Sequence, residues 1–142
     1  MKDVISKEQI FTHSIDKLWN AISIQEEIST WFLPADFKAE VGYQYTFHSP
    51  DKENCKPIVG TVKEAKPYTL IYTWTIQGTD VETTVVWRLE EIASGTKLSL
   101  EHSGISNYDG ETAVEMFTSF DGGWDNCIKD LLNYITQEVH AE

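Results

Sequence analysis

One histidine and a set of aromatic rings carry what chemistry this sequence offers. His102 ends the run Leu98-Ser99-Leu100-Glu101-His102, where period-two counting sets it on the face of Leu98 and Leu100. An imidazole on such a face can orient a ligand carbonyl or pass a proton near neutral pH. It can equally be structural, bonded to a backbone carbonyl or to a covering helix, because most buried polar groups are paired. Asp121 and Glu82 are the acids that come into question as its partners, and no spacing selects either. No residue is therefore assigned a catalytic role.

The rings are more numerous. Trp31, Phe32, Phe47, Trp74, Trp87, Phe117, Phe120 and Trp124, with His102, are the candidates for the wall of a ligand cavity. Any one of these rings suits ordinary core packing. Together they are hard to fit into one core at native density, so some cavity is expected, suited to a hydrophobic molecule with a ring system.

Other site chemistry is sparse. The histidines (13, 48, 102 and 140) and the cysteines (55 and 127) show no HExxH, HxH or zinc-ribbon spacing, so neither a metal nor a cofactor is expected. There is no GxSxG elbow, P-loop or GxGxxG. Cys127 stands at helical spacing from Trp124 and Leu131 and reads as a small core residue. The segment from His48 to Cys55 reads as a solvated turn.

Charge narrows the partners. The net charge is −12, and it is uneven: residues 1–70 carry 10 acidic and 8 basic side chains, residues 71–142 carry 13 and 3. Nucleic acid and anionic membrane surfaces are excluded on this ground, and the lone Arg88 forms no phosphate-binding cluster. The acidity suits solubility, or else a docking face for a basic protein partner. No apolar run nears the roughly 18 residues of a membrane span, and the start, MKDVISKEQI, lacks the apolar run of a signal peptide. With two cysteines and no CxxC, a cytoplasmic protein with free thiols is expected, a monomer or weak dimer.

The elements that position these residues follow from periodicity. Residues 4–12 read as a strand with Ile5 and Phe11 on one face. Ser14 offers an N-cap to a helix carrying Ile15, Leu18, Trp19 and Ile22. Ser23 and Glu26 form a capping-box pattern for a second helix, which Pro34 bars from continuing. The period then becomes two. Tyr43, Tyr45 and Phe47 share a face, as do Ile58, Gly60 and Val62. So do Leu70, Tyr72, Trp74 and Ile76, then Thr83, Val85, Trp87 and Leu89, and finally Leu98, Leu100 and His102. Turns at residues 78–80 and 94–95 make these antiparallel hairpins with one wet side. A helix from about 111 to 139 carries Val114, Phe117, Phe120, Trp124, Ile128, Leu131 and Ile135, with Thr112 and Glu115 as its capping box. Gly122-Gly123 within it implies a close approach or a kink, at about 1 kcal/mol per glycine. The result is one α+β domain over residues 1–142, its sheet covered by the last helix, with the cavity between them.

Six segments carry a family resemblance: LWNAIS…ISTWF (18–32), GYQYTF (42–47), GTVKEAKPYTLIYTW (60–74), TTVVWRLEE (83–91), GTKLSLEHSG (95–104) and GGWDNCIKDLLNYI (122–135). In order and spacing they resemble the activator of Hsp-90 ATPase homologue-like family of the START-like (SRPBCC, helix-grip) superfamily, most strongly over 13–137. The resemblance implies a β-α-α-β-β-β-β-β-α cup, a curved antiparallel sheet with two short helices wrapped around a long C-terminal helix. It implies a hydrophobic or amphipathic small-molecule ligand in the cavity between sheet and helix. Two other functions come with it: a protein-interaction module related to the co-chaperones, and a cyclase- or dehydratase-like enzyme using the same cavity. Ligand binding ranks first, interaction second and catalysis third.

Overall fold

The structure is a computed structural model that describes residues 3–48 and 56–141, so Cys55 and most of the turn before it lie outside the described residues. Strand β1 (Ile5–Phe11) is followed by helices α1 (Ile15–Ser23) and α2 (Gln25–Trp31). Strands β2 (Ala35–Asp36), β3 (Gln44–Phe47), β4 (Ile58–Lys66), β5 (Thr69–Ile76), β6 (Thr83–Ile92) and β7 (Gly95–Ser103) come next. A 3-10 turn (Ile105–Asn107) leads into helix α3 (Gly110–Ala141). The strands form one curved antiparallel sheet in the order β1-β7-β6-β5-β4-β3-β2. This is the helix-grip α+β fold. It carries one strand more than the expected cup, because β2, only two residues long, is too short to show a period.

The dry face of the sheet is the one periodicity selects. Leu70, Tyr72 and Trp74 of β5, Thr83, Val85, Trp87 and Leu89 of β6, and Leu98, Leu100 and His102 of β7 are all buried. Register stacks them across strands: Leu70 opposite Trp87, Trp87 opposite Leu100, Val85 opposite His102. Gly60 on β4 is required by close approach. A Cβ there would lie 2.1 Å from the Thr73 carbonyl oxygen. That carbonyl accepts a hydrogen bond from the buried Tyr45 hydroxyl, and the Thr73 hydroxyl accepts one from the Thr61 amide at 2.9 Å.

Helix ends follow the caps in one case of three. The Ser14 side chain accepts from the Lys17 amide at 3.2 Å and starts α1 as expected. Ser23 does not cap α2. It is the last residue of α1, and its hydroxyl donates back to the Trp19 carbonyl at 2.5 Å, which leaves Ile24 as an N-cap without a side-chain bond. The pair Thr112 and Glu115 is likewise no capping box, since α3 begins at Gly110 and the Ala113 amide donates to the Asp109 carbonyl. Beyond that start α3 runs to Ala141 and buries Ala113, Trp124, Cys127, Ile128, Leu131 and Ile135. Among the described residues no helix is long and apolar enough to cross a membrane.

Candidate functional site

A pocket of about 430 Å3 lies between the sheet and α3, lined by Phe32, Leu33, Ile58, Trp74, Ser119, Phe120, Gly123 and Trp124. Pockets of roughly 300–1,000 Å3 hold drug-sized ligands. Three parts of the chain build it. The end of α2 supplies Phe32 and Leu33, the sheet supplies Ile58 and Trp74, and α3 supplies the remainder. The rings define its shape. Phe32 lies nearly parallel to Trp124 at 6.2 Å between centroids, Trp74 is 5.2 Å from Trp124, and Phe120 stands edge-on to Trp74 at 6.4 Å. Among the described residues no ionisable side chain lines the pocket.

Of the glycine pair, Gly123 lines the pocket and leaves space in its wall. A Cβ at Gly122 or Gly123 would meet nothing within 4 Å, so neither glycine serves a close approach between protein segments. The expectation of a close approach is corrected here, and α3 also continues through both residues. What Gly123 provides is a missing piece of wall, one residue before the ring of Trp124.

His102 sits behind this wall and is fully buried. The Trp124 indole Nε1–H donates to its Nδ1 at 2.9 Å, and Thr83 Oγ1 lies 2.7 Å from its Nε2. Indole nitrogen is a donor only, so Nδ1 must accept and the ring proton must sit on Nε2. Nε2–H then donates to the Thr83 hydroxyl, which donates onward to the Trp74 carbonyl at 3.0 Å. Each atom of this relay is satisfied. Burial holds the pKa of His102 down at about 4, so the ring is neutral at ordinary pH. Its job is to join β5, β6, β7 and α3 at one point, and neither nitrogen is free to meet a ligand. The two acids considered as its partners are elsewhere: Asp121 pairs with Lys7 at 2.7 Å, and Glu82 is exposed.

The nine candidate wall residues therefore divide. Phe32, Trp74, Phe120 and Trp124 meet at the pocket. Phe47 lies behind Phe32 and Trp74, at 5.4 and 6.2 Å. Trp31 is packed against Phe32, donates its indole N–H to the Ala21 carbonyl at 2.7 Å and does not line the pocket. Trp87 is core, edge-on beneath Trp124, with its N–H on the Tyr72 hydroxyl at 2.9 Å. Phe117 is half-buried on α3 and lines no part of the pocket. Leu33, Ile58, Ser119 and Gly123 are wall residues outside the candidate set, although periodicity places Ile58 on a strand face with Val62. The glycine pair was the one signal that could have found Gly123, since an unexplained glycine in a helix implies space as readily as contact.

Remaining chemistry is muted. The Cys127 thiol is buried, and burial pushes its pKa up, which leaves it unreactive in the core. Among the described residues no three His, Cys, Asp or Glu side chains gather as a metal site.

The family model described as "Activator of Hsp90 ATPase homolog 1-like protein" matches residues 12–136. The chain belongs to this family. Solved structures share its fold. Protein MLL2253 from Mesorhizobium loti has a TM-score of 0.83 at 23% identity, over 94% of this chain and 97% of that one. Protein BH1534 from Bacillus halodurans has 0.77 at 29%, over 95% and 97%. CalU16 from Micromonospora echinospora has 0.71 at 21%, over 97% and 78%. No curated protein matches the sequence. Within the Hsp90-activator-like family, this chain is thus a helix-grip domain with an aromatic pocket under its last helix.

Proposed function

We propose that this protein binds an apolar small molecule in the pocket beneath α3. One observation carries the reading: four aromatic rings share the pocket wall with a helix position, Gly123, where no side chain fills the space and a Cβ would meet nothing within 4 Å beyond the helix's own local backbone and its chain neighbours. A solvent-exposed mid-helix glycine costs about 1 kcal/mol relative to alanine, and room for a ligand gives that cost a purpose. Catalysis is the weaker alternative, because His102 has both nitrogens engaged behind the wall.

The uncharged dye Nile red tests this. Binding should shift its emission to the blue, and Gly123→Leu should weaken binding at least tenfold. The variant should keep or exceed the wild-type Tm, since leucine is the better helix former and its Cβ meets open space. Equal binding by the variant, or none by the wild type, would overturn the reading.

A further inference from the structure

Among the described residues, one buried tryptophan has an indole N–H without an acceptor. Trp31 donates to a carbonyl, Trp87 to the Tyr72 hydroxyl and Trp124 to His102. Trp74, only 6% exposed, donates its Nε1–H to no protein group. An unpaired buried donor is costly and uncommon, so it calls for a reason. Among the described residues two other buried side-chain atoms are unpaired, His13 Nδ1 and the Tyr108 hydroxyl, but neither residue lines the pocket. Trp74 does.

We propose that the Trp74 indole N–H is the polar anchor of the pocket, and that the ligand is an uncharged ring system bearing a carbonyl or similar acceptor oxygen. This rests on the binding reading above and gives it a ligand class. With no ionisable side chain in the wall among the described residues, a charged group would enter without a counter-charge from them, which disfavours acids and amines. The rings of Phe32, Trp74, Phe120 and Trp124 favour a flat apolar body. One donor in such a wall selects one acceptor. The nitrogen is closed over in this conformation, and the half-buried Phe120 packs edge-on to Trp74. On this proposal a ligand displaces a neighbouring ring to reach the N–H.

The test compares fluorene with 9-fluorenone, which share a tricyclic body and differ in one carbonyl. The ratio of their Kd values in the wild type, divided by the same ratio in Trp74→Phe, isolates the N–H contact from differences in solubility. We expect that quotient to favour fluorenone by about fivefold, as one neutral hydrogen bond warrants. Should Trp74→Phe fold poorly, 1H–15N spectra of the wild type give the same answer. The assigned Trp74 indole proton should move downfield with fluorenone and much less with fluorene. An unchanged ratio, or equal shifts with the two ligands, overturns the anchor while leaving the binding reading intact. If neither compound binds and Nile red also fails, both fall together.

Discussion

The two halves of α3 have the same amphipathic pattern and opposite relations to the rest of the molecule. From Trp124 onward, Trp124, Cys127, Ile128, Leu131 and Ile135 are buried at helical spacing. Before Trp124 only Ala113 is buried, while Phe117 and Phe120 are half-buried and Val114 is 55% exposed. Periodicity alone cannot separate these halves, for a stripe of apolar residues reads the same whether protein or a ligand faces it. The boundary is set by the glycine pair on one side and the Trp124–His102 bond on the other. One half closes the core, and the other roofs a pocket.

That contrast can be broken directly. Leu131→Ala, in the sealed half, should cost about 2–5 kcal/mol by urea unfolding, whereas Val114→Ala should stay within about 0.5 kcal/mol. Similar losses at the two positions would erase the distinction.

The junction has a pH signature. Burial depresses the folded-state pKa of His102 to about 4, below the 6.5 of an unperturbed histidine. Below pH 6.5 the unfolded chain takes up a proton that the folded protein refuses. The contribution of this group is therefore complete above pH 6.5 and is lost progressively as pH falls toward 4, by on the order of 3 kcal/mol. His102→Gln should be less stable at neutral pH and should show a shallower decline across that window. An identical decline would mean that the imidazole is not the titrating group.

Smallest in effect is Gly122→Ala. With nothing near the new Cβ it should stabilise α3 by about 1 kcal/mol, read as a Tm rise of a few degrees, and leave Nile red binding unchanged. A fall in Tm would show that the glycine is needed for packing after all.

Much of the architecture was legible because it rests on period and punctuation. The inner faces of β5, β6 and β7, the Ser14 cap and the span of α3 follow from local sequence. β2 was not legible, since two residues carry no period. The Ser23 and Thr112 capping boxes failed because each needs the helix to begin just after the motif's first residue, and the actual starts, Gln25 and Gly110, lie one residue later and three residues earlier. The pocket's location between sheet and helix could be inferred from element order. Its lining could not: Trp87 and Trp74 share the inward face of neighbouring strands, yet one lies beneath Trp124 and the other reaches the pocket. Depth along the inward direction is a property of packing, which alternation does not encode.

The closeness of Trp74 and Trp124 has an optical consequence. At 5.2 Å and 56° between ring planes, their indole transition dipoles couple, so the pair should give an exciton couplet in far-ultraviolet circular dichroism. Because one member sits on the sheet and the other on α3, the sign and size of that couplet report their relative orientation. The pocket wall thus contains its own chromophore, and movement of the helix against the sheet can be followed without adding a label.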